Sequence, residues 1–205
     1  MIEYEFLKCN NDWAAVLDDS RATVSKKALN KEPSKNFKRA ILMAMHSTIR
    51  NLIIRWKWIN IPSFCATHYS RHKFEKYIST QRTDRTGVNR NELPQDAPVT
   101  FTGVANAQHA IDMMAKRLCF TSDPTTVKYA QSLKKVLHPI EPELSEVFVP
   151  ACIMYGGCRE EGLGTGCGWW AKFLERHPEL TVNTTIQERY DIYNAEFFGK
   201  TEAQA

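Results

Sequence analysis

The sequence predicts an α+β fold, mainly helical with a small antiparallel sheet. Three patterns carry that reading. Apolar residues recur every three or four positions in several separate stretches, which is the helical period. One stretch, 51–61, switches to period two. Residues 1–7 also alternate, with Ile2, Tyr4 and Phe6 set against Glu3 and Glu5. A lone strand is unstable, so these residues are the natural partner for 51–61.

The elements follow in chain order. Residues 34–49 form a helix with Ser34 as N-cap and Phe37, Ala40, Ile41, Ala44, Met45 and Thr48 along one face. In 51–61, Leu52, Ile54, Trp56 and Trp58 share one face of a strand, and Ile53, Arg55, Lys57 and Ile59 the other. Pro62 ends it. Residues 63–80 return to helical spacing through Phe64, Ala66, Tyr69 and His72. Residues 86–100 hold Gly87, Pro94 and Pro98 and read as loop. A helix follows over 105–118, through Ala107, Ala110, Ile111, Met114 and Leu118. Asp123-Pro124 is an N-cap followed by proline at the first helical position, opening a helix that reaches about Leu137. A short helix follows Pro142, the glycine-rich 156–168 is irregular, and 169–205 is mixed with a frayed end. The 205 residues suit one domain over 1–168, with 169–205 as a C-terminal extension packed on it or at a subunit interface.

Composition narrows the class. Hydrophobic residues are 43% and charged residues 24%, a globular mix that excludes disordered, collagen-like and coiled-coil chains. No apolar run approaches the roughly 20 residues of a membrane helix. The acidic first residues do not resemble a signal peptide, and six cysteines are too sparse for a disulfide scaffold. A cytoplasmic protein with reduced thiols is expected. The net charge of +4 hides an asymmetry. Residues 50–90 hold nine basic residues (Arg50, Arg55, Lys57, Arg71, Lys73, Lys76, Arg82, Arg85, Arg90) and two acidic ones (Glu75, Asp84). Residues 91–205 hold ten basic and fifteen acidic. Such a block is either a phosphate-binding surface or a solvated basic face.

The densest chemistry lies inside that block. Arg71-His72-Lys73 is followed by Ser79-Thr80-Gln81-Arg82-Thr83-Asp84-Arg85. An arginine fork grips a phosphate bidentately, lysine binds it as a point charge, and hydroxyls complete the cradle. His72 between two cations is disfavoured in its protonated form and suits a neutral hydrogen-bonding or stacking role.

These residues resemble the signature of the flavin-dependent thymidylate synthases, Arg-His-Arg followed by a serine and an arginine. The flanking order is similar too. His46-Ser47-Thr48 stands where the family has Gly-His-x-Thr, followed by strand 52–58 and helix 63–72. Arg90-Asn91-Glu92-Leu93-Pro94, Asn106-Ala107-Gln108 and Lys116-Arg117 follow where the family has Arg-x-x-Leu-Pro, Asn-Ala-Arg and Leu-Arg. Pro150-Ala151-Cys152, Gly157-Cys158 and Cys167-Gly168 match a tail found in many members, so the resemblance spans about 20–168. It implies conversion of dUMP to dTMP with FAD, with NADPH and methylenetetrahydrofolate as co-substrates, in a homotetramer with shared active sites. By motif, His46, Arg71, His72, Lys73, Asn106 and Asp112 would contact FAD. Ser79, Arg82, Arg90, Arg117 and His68 would bind the nucleotide, with Arg117 and Ser79 as catalytic residues. Neither a membrane nor nucleic acid is an expected partner, and no metal is expected at the site.

Several positions depart from the family pattern. Lys73 replaces arginine, His68 replaces a glutamine, Gln108 replaces the arginine of Asn-Ala-Arg, and Asn51 stands in a glutamate's place. The linker to Ser79 is two residues short, and Ser79 and Arg82 are one residue further apart. Only residues 83–89 separate Arg82 from Arg90, where relatives insert a long helical stretch. So compact a member suggests a phage origin and the host cytoplasm. Two alternatives stand beside the main reading: an enzyme that hydroxymethylates dUMP or dCMP, and a non-enzymatic nucleic-acid-binding module using 50–90. Cys152, Cys158 and Cys167, with Cys119 or His177 as a fourth, form no Cys-x-x-Cys pair. Zinc ligands and buried free thiols both stay open for them. Trp169-Trp170 suits packing or a subunit contact.

Overall fold

The computed structural model describes residues 2–199. It is α+β, with a four-stranded antiparallel sheet of β1 (Glu3–Cys9), β2 (Ile53–Pro62), β3 (Glu75–Ile78) and β4 (Pro98–Asn106) in the order β1-β2-β4-β3. The helices are α1 (Trp13–Ala22), α2 (Lys35–Met43), α3 (Ser63–Ser70), α4 (Thr83–Thr86), α5 (Ala107–Arg117), α6 (Pro124–Leu137), α7 (Pro142–Glu146), α8 (Ala151–Tyr155), α9 (Trp169–Arg176) and α10 (Ile186–Gly199). No helix among the described residues is long and apolar enough to cross a membrane. The chain divides into two compact units that do not follow chain order. The first holds residues up to Pro33 and Ser47–Ala110; the second holds Ser34–His46 and the chain from Ile111 onward.

The first unit is built around the sheet. Period-two patterning works as expected in β2: Ile54, Trp56 and Trp58 are buried, while Ile53, Arg55, Lys57 and Ile59 are not. β1 is its antiparallel partner, with Tyr4 opposite Trp58. Asn60 takes φ +56°, a conformation asparagine tolerates better than most residues, and the β2–β4 register shifts there. Pro62 then leads directly into α3, which lays Tyr69 on Trp58 with ring centroids 4.8 Å apart. Trp56 is fully buried against Phe74 at 5.4 Å and Trp58 at 5.6 Å. Its ring lies across Gly103, the residue opposite it on β4. A Cβ at 103 would stand 2.3 Å from Trp56 Cζ2, so only glycine admits the ring.

Three boundaries differ from the sequence expectation. Residues 75–78 are strand rather than a continued helix, because the edge of β4 offers them backbone partners. The expected loop 86–100 and helix 105–118 conceal β4. Its opening residue is Pro98, at the one strand position where a missing N–H costs little. The helix expected over 34–49 stops at Met43. Met45 turns to φ +51°, and the His46 and Met45 N–H groups donate to the Ile41 and Leu42 carbonyls at 3.2 and 3.0 Å. This is a Schellman stop without its usual glycine. Ser34 caps the start of α2 as read, accepting from the Phe37 N–H at 3.3 Å. Residues 47–51 form a separate 3-10 turn.

The second unit is helical. Asp123 caps α6 through the Thr125 and Thr126 N–H groups at 2.9 and 3.1 Å. Trp169 stacks between Phe120 and Phe173, at 5.7 and 4.9 Å, so Trp169-Trp170 serves packing. Lys134 on α6 is wholly buried. Its Nζ donates to the Ser145 carbonyl at 2.8 Å and to Asn194 Oδ1 at 2.7 Å. The rings of Tyr193, Phe197 and Phe198 surround it at 4.9–5.5 Å. Asn194 Nδ2 in turn donates to the Glu146 carbonyl at 2.9 Å. One buried amino group thus fastens α10 to α6 and α7.

Two outcomes test these packings. Gly103→Ala should cost about 3 kcal/mol in urea unfolding, with the tryptophan emission shifted to the red as Trp56 is displaced. Burial drives the Lys134 pKa down from 10.5 to about 7, with Glu146 pulling the other way. Between those values the unfolded chain holds a proton that the folded chain has lost, so stability rises with pH. Unfolding free energy should therefore climb from pH 7 to pH 9.5. Lys134→Met should flatten that climb; an unchanged slope in the variant would show the ammonium to be charged in its cage.

Candidate functional site

β3 divides the signature residues into two groups. On its N-terminal side, Arg71 closes α3 and a tight turn follows. The His72 N–H donates to the Tyr69 carbonyl and the Phe74 N–H to the His72 carbonyl, both at 3.1 Å. Phe74, buried against Trp56, anchors that turn to the core. Lys76 Nζ reinforces it from β3, donating to the His72 carbonyl at 2.8 Å. Arg71 and Lys73 are consequently exposed and His72 is half-buried. His68, one turn back on α3, sets its ring edge-on to Phe64 at 5.9 Å.

On the C-terminal side, Ser79 prolongs the β3–β4 ladder. Its N–H donates to the Thr100 carbonyl, and its Oγ accepts from the Thr100 N–H, both at 2.9 Å. The hydroxyl proton is still a donor for a ligand. Arg82 Nε and Nη2 donate to Asp84 Oδ1 and Oδ2 at 2.9 and 2.7 Å, so a carboxylate already fills that fork. The Arg90 N–H donates to Thr83 Oγ1 at 3.2 Å, which folds the short 83–89 link into a compact turn. From Glu75 to Ser79 is four strand residues, about 13 Å. Arg71–Lys73 and Ser79–Arg82 therefore stand at opposite ends of β3.

Pairing separates the cations of the basic block. Lys57 pairs with Glu5 at 2.5 Å, and Arg82 and Arg85 share Asp84. Arg55 lies over the Phe6 ring at 5.2 Å. Among the described residues Arg50, Arg71, Lys73 and Arg90 have no carboxylate partner. Uncompensated exposed charge of this kind attracts anions.

The remaining candidates fall elsewhere. Asn106 ends β4, and its Oδ1 accepts from the His109 N–H at 2.9 Å, so it caps the start of α5. His46, half-buried beyond the α2 stop, belongs to the second unit, as do Asp112, exposed on α5, and Arg117, half-buried at its end. Two departures from the family pattern gain local roles. Asn51 Nδ2 donates to Asp19 Oδ2 at 2.6 Å, and Gln108 Oε1 accepts from Arg50 Nε at 2.5 Å. Arg50 was visible in the sequence as part of the basic block, but nothing there marked it as a neighbour of Gln108.

Among the described residues no three His, Cys, Asp or Glu side chains are grouped to hold an ion. Cys152 has its thiol pushed up to about 12, first by burial and then by the neighbouring Cys119. Such a thiol is inert near neutrality. Exposed Cys167 should therefore be alkylated by iodoacetamide at pH 8 well before Cys152, as peptide mapping by mass spectrometry would show; equal rates would contradict the burial.

Among the solved structures that match this chain is one of the same fold. It is the UMP/dUMP methylase PolB from Streptomyces cacaoi, bound with 5-Br dUMP. The TM-score is 0.54 at 13% identity, over 72% of this chain and 94% of that one. At that identity the likeness concerns the fold alone. Comparison with protein-family models and with curated proteins gives no match.

Proposed function

We propose that this protein methylates the uracil ring of dUMP, with FAD as cofactor, methylenetetrahydrofolate as carbon donor and NADPH as reductant. One observation carries the reading. The Arg71-His72-Lys73 turn, anchored by Phe74, presents exposed cations that no carboxylate neutralises. The fold shared with a UMP/dUMP methylase supports it.

The donor set fits a flavin dinucleotide. Arg71 and Lys73 supply charge for a pyrophosphate, and His72 and Asn106 supply hydrogen-bonding groups suited to a ring system. His46 and Asp112 complete that set by motif. When bound, FAD would supply the redox chemistry. The nucleotide would rest on Ser79, Arg82, Arg90 and His68. Arg82 would take the phosphate by exchanging it for Asp84, a like-for-like swap of one anion for another. The Arg117 guanidinium would stabilise negative charge developing on the uracil ring. The separation of the two signature groups by β3 favours sites shared between copies. Tyr77 and Ile78, exposed on the edge strand β3, offer a surface for such an assembly.

Incubation with dUMP, methylenetetrahydrofolate, FAD and NADPH, followed by mass analysis of the nucleotide, tests the proposal. A nucleotide heavier by one methyl group is expected. A hydroxymethyl product would assign the alternative chemistry, and unchanged dUMP with FAD bound would count against both. Arg117→Ala should lose turnover by at least about a hundredfold while retaining flavin. His72→Ala should release flavin during gel filtration.

A further inference from the structure

Arg50, like Arg55 and Lys76, is a cation of the basic block that no carboxylate pairs and no motif assigns, but its setting is unlike that of a free surface arginine. It closes the 3-10 turn 47–51, just before β2. Its Nε–H is held by Gln108 Oε1 at 2.5 Å, from the first turn of α5. The two residues are 58 apart in sequence, yet Ile53 on β2 lies opposite Asn106 on β4, so the sheet brings them together. The Asp19 carboxylate is engaged by Asn51, the residue after Arg50, at 2.6 Å. A bond through Nε restrains the guanidinium plane and leaves the two Nη groups, one of the two edges by which a guanidinium grips oxyanions, with N–H donors to spare. Part of the entropy cost of ordering a long side chain is thereby met before any ligand arrives. Glu75, where β3 begins, lies opposite Val104, two residues before Asn106. The Arg71–Lys73 turn therefore meets the same end of the sheet as Arg50 and Gln108.

We propose that Arg50, oriented by Gln108, binds a phosphate group of the nucleotide or dinucleotide ligand at this end of the sheet. This rests on the proposed function for the choice of ligand, though not for the anion chemistry.

The test is calorimetric titration of the purified full chain with FAD, with dUMP and with inorganic pyrophosphate. Arg50→Ala should weaken binding of the ligand whose phosphate it holds by about ten- to hundredfold, the range of a hydrogen bond to a charged group. The other ligand should be unaffected, which identifies the source of the phosphate. The reversed pair, Arg50→Gln with Gln108→Arg, should recover most of the affinity, whereas Arg50→Gln alone should not. Near-UV circular dichroism of the tryptophan cluster checks that each variant is folded. If wild type binds FAD or dUMP and Arg50→Ala binds both equally well, the assignment of Arg50 is wrong and the proposed function stands. If wild type binds neither, the proposed function fails. Pyrophosphate then decides: binding lost in Arg50→Ala upholds the anion site, and binding that is absent or unchanged overturns it.

Discussion

The contact between the Trp56 ring and the bare backbone of Gly103 is the constraint on which the first unit rests. With no side chain at 103, the indole can pass over β4 at the residue opposite its own. Phe74, Trp58 and Phe101 gather around it within 6.4 Å. Phe74 is also the last residue of the turn that presents Arg71, His72 and Lys73. The position of the cations thus derives from an aromatic packing decision made two strands away. A hydrophobic core is close-packed and transmits small displacements, so the exposed turn inherits the rigidity of the buried ring.

The second unit solves a different problem with the opposite chemistry. Its last described helix is attached by a buried lysine amino group rather than by apolar contact alone. Lys134 finds two oxygen acceptors and three ring faces, which offset part of the hydration it has given up. Directional bonds of this kind specify which face of α10 docks, whereas apolar packing alone tolerates sliding.

Much of this was legible beforehand. Alternation in 51–61 and 1–7 identified β2 and β1, and Ser34 and Asp123 announced their helices through cap chemistry that acts within three residues. α1 escaped notice despite its local cap at Asp12, and the other differences were decided at longer range. Residues 75–78 become strand because β4 supplies partners, and β4 itself was masked by a proline that sits harmlessly at its first position. The signature read as one contiguous motif, yet the strand inside it holds its halves apart. The Arg50–Gln108 bond joins positions that no local period relates. The β1–β2 pairing was readable, and the pairing of β4 with its two neighbours was not.

The compact turn between Arg82 and Arg90 has a consequence for chain length. Thr83 Oγ1 and the left-handed Gly87, at φ +72°, close it without borrowing a single core residue. Both of its ends are exposed. Lengthening such a loop is inexpensive, at roughly 0.6 kcal/mol for each doubling. The turn is therefore a seam in the fold, where chain is added or removed while the sheet stays as it is. A shorter and a longer chain on this fold would then differ in what they carry at the rim and share the same frame beneath it.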